Sequence, residues 1–294
     1  MTNFSLRSRR DGERKLLGAG LLLLCLLLTA AGPPAARAAK GKPVFDYSDY
    51  AAVLEEYVNR RGMVDYQALK RNPGKLDSFL RSVARLDRSE YRGWPRDSKV
   101  AFLVNAYNAI TLKIIIDHYP IEAGWLGSMR YPENSIRQIS GVFDGIEHTV
   151  MGQDMTLDEI EHETLREDFN EPRIHLALVC AAMSCPRLLN EPYVGPRLDE
   201  QFRSQAENFV RWDDNFRISR GEDTVYISSI FDWFGQDFIE TYGTEQKFGG
   251  HSAKVRAVLN YLEDFVSEPD RRYLRIASYD VEYIDYDWSL NAQK

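Results

Sequence analysis

The stretch from Lys99 to Ile116 constrains this chain more than any other. Val100, Ala101, Phe102, Leu103, Val104, Tyr107, Ile110, Leu112, Ile114, Ile115 and Ile116 distribute apolar side chains around a full helical wheel. A helix that is apolar on every side must be buried on every side. Asp97 or Ser98 offers a cap at its start, and Pro120 forbids its continuation beyond Tyr119. The fold is therefore expected to be organised around one central buried helix, which needs other elements packed all about it.

The flanking sequence supplies those elements. Tyr50, Val53, Leu54 and Tyr57 have helical spacing, and so do Leu69, Leu76, Phe79, Leu80 and Val83 between Ala68 and Leu86. Residues 139–151 read as extended, broken at Gly141 and Gly145. Thr156 with Glu159 forms a capping box that opens a short helix reaching about Arg166. Ile174 to Cys180 is an apolar run ending in a loop, read as a buried strand with a helix as the alternative. Leu198–Trp212, Ile230–Tyr242 and Ala253–Phe265 read as helices. Residues 216–219 and 224–228 read as a hairpin, and residues 276–285 alternate like a strand. The expectation is a mainly helical single domain of the α+β class, with a buried central helix and a small antiparallel sheet.

The first residues differ from the rest. Arg7, Arg9, Arg10, Arg14 and Lys15 precede an apolar run from Leu21 to Leu28, and Ala36-Arg37-Ala38 follows. This order is that of a secretory signal peptide over residues 1–38, leaving one globular domain over residues 39–294. The apolar part, Leu16 to Ala31, falls short of the roughly 20 residues of a spanning helix, so cleavage is favoured over an anchor. The expected location is secreted or periplasmic, with no membrane span after cleavage. The whole chain carries 37 Lys and Arg against 44 Asp and Glu. Losing residues 1–38 removes six of the former and two of the latter, which takes the net charge from −7 to about −11. So acidic a domain is poorly suited to a phosphate backbone, and nucleic acid is not an expected partner.

Three short segments concentrate the residues that carry chemistry. Asn105 and Asn108 share a face of the buried helix, and buried amides need partners. They would clamp a neighbouring loop, or one would orient an imidazole as asparagine does in Cys-His-Asn hydrolases. On the helix after Thr156, Glu161 falls within the apolar arc, with Asp158 at its edge and His162 just beyond. A carboxylate there must be paired, with Arg173 for instance, or have a raised pKa and serve as a general base. The third segment carries His175, Cys180 and Cys185. Its cysteines read as a short-loop disulfide, as a thiol nucleophile served by His175 or His162, or as part of a metal site. In a strand His175 and Cys180 point to opposite faces, and in a helix they lie about 140° apart, so Cys185 is the better partner for that imidazole. The spacing of His175, Cys180 and Cys185 is not a usual zinc pattern, and no metal or cofactor is expected. Phe231, Trp233 and Phe234 read first as core, and second as aromatic contacts for a peptide or glycan.

Several of these blocks, in order, carry a family resemblance. They are residues 103–109 around Asn105, 157–166 around Glu161-His162, 172–180 around His175, and Ser184-Cys185-Pro186. Residues 62–66, 229–234 with Asp237-Phe238, and 287–291 fit as well. Over about residues 45–292 the chain resembles the family catalogued as "domain of unknown function 547", whose common members are bacterial exported proteins. The resemblance implies a single domain and draws attention to Asn105, Asn108, Glu161, His162, Arg173, His175, Cys180 and Cys185. It assigns them no roles.

Two functions are expected from the residues. The first is a thiol-dependent hydrolase or acyltransferase acting on amide or ester bonds. Cys185 or Cys180 would attack, His175 or His162 would take the proton, and Glu161 or Asn105 would orient the imidazole. The second is a non-catalytic binding module of the cell envelope for a small-molecule or peptide ligand, with Cys180–Cys185 as a structural disulfide. The state of the two sulfurs separates them.

Overall fold

The computed structural model describes residues 43–123 and 130–294. The leader expected over residues 1–38 lies outside the described residues. The centre of the fold is the expected apolar helix. Four shorter helices lead into it: α1 (Ser48–Tyr57), α2 (Tyr66–Arg71), α3 (Gly74–Arg85) and α4 (Arg88–Arg92). The single helix expected over residues 68–86 is split into α2 and α3, because Pro73 after Asn72 cannot continue an α-helical hydrogen-bond ladder. The central helix α5 spans Arg96–His118 and begins directly after Pro95. No side chain caps it, so the role expected of Asp97 or Ser98 falls to the Pro95 carbonyl, which accepts from the Ser98 and Lys99 amides.

Helix α5 is long and apolar enough to cross a membrane, yet 89% of its most apolar window is buried within the protein. That burial identifies it as a core helix. Phe102, Leu103 and Val104 are wholly enclosed, and burying each such side chain contributes about 1.5–3 kcal/mol. Helices α2 and α3 pack on α5, and α1 packs on α3, with Tyr50 stacked on Phe79 at 4.7 Å between ring centroids.

Beyond α5 the chain forms a short hairpin, β1 (His148–Val150) with β2 (Gln153–Met155). The capping box then forms as expected. The Thr156 amide donates to Glu159 Oε2 at 2.7 Å, and the Glu159 amide donates to Thr156 Oγ1 at 3.2 Å. The helix that follows, Glu159–Arg166, is wide-turned with π-type geometry, and it tightens to α-helical at α6 (Glu167–Phe169). π-type turns are rare and frequent at functional sites.

The apolar run from Ile174 is not a strand. Pro172–Leu176 forms a 3₁₀ turn opened by Pro172 and capped by the Glu171 side chain, and the chain continues irregularly to Ala181, which is left-handed at φ 60°. Its backbone is satisfied by local turn hydrogen bonds and by side chains, not by a ladder. Asn108 accepts from the Val179 amide at 2.9 Å and donates to the Ala177 carbonyl at 3.0 Å.

The remainder gathers around a second apolar cluster. It comprises α7 (Leu198–Phe209), strands β3 (Phe216–Ser219) and β4 (Thr224–Ser228), helices α8 (Ile230–Phe234) and α9 (Phe238–Tyr242), then α10 (Ala253–Leu262), α11 (Glu268–Ile276) and β5 (Asp280–Ile284). Strands β3 and β4 form the expected antiparallel hairpin, in register from Phe216–Ile227 to Ser219–Thr224. Strand β5 pairs with β4 in parallel, from Thr224–Asp280 to Ser228–Ile284, so this three-stranded sheet is mixed. The class is α+β and mainly helical.

Candidate functional site

A cleft of about 180 Å³ opens at the seam between the two apolar clusters. Tyr107 reaches it from α5. Asp158, Glu161 and His162 come from the start of the wide-turned helix, and His175 and Leu178 from the irregular segment after Pro172. Cys180 and Cys185 form part of its wall. Trp233 and Phe234 come from α8, and Tyr286 and Trp288 from the segment after β5. Trp233, Tyr286 and Trp288 pack on one another, with ring centroids 4.6–5.9 Å apart.

The two cysteines are joined in a disulfide, with their Cα atoms 6.1 Å apart. Cys185 is buried and Cys180 half-buried. The Tyr286 hydroxyl stands 3.2 Å from Cys180 Sγ and 3.1 Å from Cys185 Sγ, within donating reach of either. The thiol nucleophile expected of Cys185 or Cys180 is therefore absent in this state, since neither sulfur carries an ionisable proton. The structure combines features of both expectations: a disulfide of the binding-module kind, with a cleft beside it.

A chain of polar contacts backs the cleft. Arg166 grips Asp237 with two hydrogen bonds, Nε to Oδ2 at 2.6 Å and Nη2 to Oδ1 at 2.8 Å. Asp237 Oδ2 accepts from His175 Nε2 at 2.8 Å, and His175 Nδ1 faces Glu161 Oε1 at 3.7 Å. Arg166 Nη1 also lies 2.9 Å from His162 Nδ1. A guanidinium only donates, so His162 Nδ1 is the acceptor there and its proton sits on Nε2. By the same logic Asp237 fixes the proton of neutral His175 on Nε2. The lone pair on Nδ1 then faces Glu161, and the contact is favourable when one proton is shared between them. Phe234 lies flat on the His175 ring at 4.2 Å.

The electrostatics follow from this layout. Burial pushes Glu161 up to about 7, against the favourable hydrogen bond from the Tyr107 phenol and the charge of Arg166. Burial pushes His175 below its usual value, although Asp237 works the other way. Burial and Arg166 together lower His162. Asp237 also suffers from burial, but His175 and Arg166 outweigh it and hold the carboxyl well below the usual range. A buried carboxylate raised as Glu161 is, on the wall of a cleft, is a functional-site signal.

The expected residues divide into two groups. Glu161, His162, His175, Cys180 and Cys185 all line the cleft. Asn105 does not. Its amide is spent on the backbone of Tyr193, accepting from N at 2.9 Å and donating to O at 2.8 Å. It orients a loop, as its neighbour Asn108 does, and no imidazole. Arg173 does not pair with Glu161. It binds Glu171 through two hydrogen bonds and Asp199 through a third. Sequence reasoning missed Tyr107, Arg166, Asp237 and Tyr286. Tyr107, Arg166 and Asp237 each stand in a resembling block, at 103–109, at 157–166 and in Asp237-Phe238, and Tyr286 stands in none.

Residues 91–210 match the family model described as "Protein of unknown function, DUF547". The matched span contains Tyr107, Asp158, Glu161, His162, His175 and both cysteines, and it ends before the aromatic wall of Trp233, Tyr286 and Trp288. No curated protein and no solved structure gives a significant match to the chain.

Proposed function

We propose, taking the DUF547 match over residues 91–210 as the premise, that the chain is an exported, non-catalytic binding module of the cell envelope. The cleft beside Glu161 takes a small ligand, and the Cys180–Cys185 disulfide braces its wall. The observation that carries this reading is the disulfide itself. The described residues that line the cleft include no serine, no threonine and no free thiol, so the usual nucleophiles of amide and ester hydrolases do not line it. Two features support export: the basic and apolar order of residues 1–38, and a cysteine pairing that suits an oxidising compartment. The apolar lining with a few convergent polar groups is the usual make-up of a ligand pocket.

Alkylation of the native protein, followed by mass measurement, tests the reading. Neither Cys180 nor Cys185 should be modified before reduction, and both should be modified after it. Modification of either one in the native protein would restore the thiol-hydrolase reading and remove this one.

A further inference from the structure

The cleft contains a charge imbalance. Its lining carries two carboxylates, Asp158 and Glu161, and among the described residues no lysine or arginine. Both imidazoles are held toward neutrality, so they do not balance those charges. Arg166, whose charge favours ionised Glu161, does not line the cleft and is committed to Asp237. Glu161 is 8% exposed, and among the described residues no lysine or arginine lies within ion-pair distance of it. A carboxylate buried to this degree is costly unless a cation or a proton accompanies it.

The rest of the lining suits a cation. Trp233, Phe234, Tyr286, Trp288 and Phe143 present aromatic rings to the same space, and ring faces attract ammonium groups, Trp most strongly. This cluster already receives one cation of the protein's own. The Arg137 guanidinium lies 5.3 Å from the Trp288 ring centroid and 5.7 Å from that of Phe143, without lining the cleft. A cavity of about 150 Å³ is enough to hold benzene, so one of about 180 Å³ has room for a small head group. An anionic ligand would meet the carboxylates of Asp158 and Glu161 directly, whereas Arg137, whose charge favours ionised Asp158, does not line the cleft.

We propose that the cleft binds a small organic ammonium group, with Glu161 as its counterion and the Trp233–Tyr286–Trp288 rings as its aromatic wall. This rests on the binding-module reading and names its ligand class. Primary and quaternary ammonium ions share the chemistry, and separate titrations distinguish them.

The test uses the purified full chain with its disulfide intact. Tryptophan fluorescence and calorimetry would follow titration with choline, with n-butylammonium, and with 3,3-dimethylbutan-1-ol, the neutral isostere of choline. At least one cation should bind about tenfold or more tightly than the alcohol. Glu161→Gln should abolish that preference while leaving the circular dichroism spectrum and alcohol binding unchanged. Trp233→Ala, at a half-exposed position, should weaken cation binding in a protein that still folds. Equal affinity for cation and alcohol, or no binding of either cation at millimolar concentration, overturns the proposal. So does a Glu161→Gln protein that keeps the preference. Alkylation of a native cysteine would sink the binding-module reading instead, and the two failures are told apart by which measurement moves.

Discussion

Glu161 and Glu263 are both buried glutamates, and the protein treats them in opposite ways. Glu263 is 1% exposed and is gripped by Arg275, Nε to Oε2 at 2.6 Å and Nη2 to Oε1 at 3.1 Å, and by the Lys247 ammonium. Burial works against its charge, but Arg275 and Lys247 together hold the carboxyl below its ordinary value. Glu161 has a phenol and an imidazole for neighbours instead, and burial drives it up to about 7. One carboxylate has been given its counterions by the fold. The other, among the described residues, has no lysine or arginine within ion-pair distance. That difference separates a strut from a site, and it is visible only when partners are read alongside burial.

The comparison breaks most dramatically at Glu263. Glu263→Ala should lower stability by about 3 kcal/mol at neutral pH, measured by urea denaturation. The lower end of the range for buried pairs applies because Lys247 and Arg275 keep contact with solvent. A loss below about 1 kcal/mol would mean that the pair is no strut.

Glu161 should behave in the reverse sense. Its folded-state pKa, about 7, lies above the ordinary 4.5, so the native state holds the proton more tightly than the unfolded chain does. The stability this contributes is full below the ordinary value and is lost as pH rises through about 7. Glu161→Gln removes the penalty. The variant should be about 2–3 kcal/mol more stable than the parent near pH 8 and nearly equal to it near pH 4. Parallel pH profiles for the two proteins would show that Glu161 has a counterion after all.

The smallest effect calibrates the others. Asp117, on the solvent side of α5, pairs with Lys113 one turn away while remaining half-exposed. Asp117→Asn should change stability by less than about 0.5 kcal/mol in the same urea titration. A larger loss would show that exposure is a poor guide to the worth of a carboxylate in this protein.

Much of this architecture was legible in the residues, and the misses have physical causes. Helix α5 was visible because every face is apolar, and the hairpin of β3 and β4 because β-rich runs flank Arg220-Gly221-Glu222-Asp223. Helix α11 escaped because only Leu274 along it is buried, leaving no stripe to detect. Its Ser267 cap, Pro269 and early acidic residues were nonetheless a start signal. The run after Pro172 was misread as a strand because an apolar run ending in a loop suits a buried strand, whereas Asn108 satisfies part of that backbone from the side. In the site, Glu161 was found because a charge in an apolar arc is conspicuous, although the wheel assumed about 3.6 residues per turn where the helix is wider. Tyr286 could not have been found in this way. Its place beside the sulfurs depends on a contact across 101 residues of sequence, and no local pattern announces that.

The segment that delivers Tyr286 and Trp288 goes on to tie distant parts of the chain together. The Met183 and Ser184 amides donate to the Ser289 and Asp287 carbonyls, the Val64 amide donates to the Asn291 carbonyl, and Tyr66 bonds to Asn291 across a separation of 225 residues. As the polypeptide emerges from the ribosome, Glu161 and the cysteines are therefore present long before the rings that enclose them. Until that last segment docks, the loop bearing the sulfurs lacks its Tyr286 contact and the recess lacks the Tyr286 and Trp288 part of its wall. Assembly in that order would let the pairing of the cysteines proceed unhindered and leave the recess as the final feature to take shape.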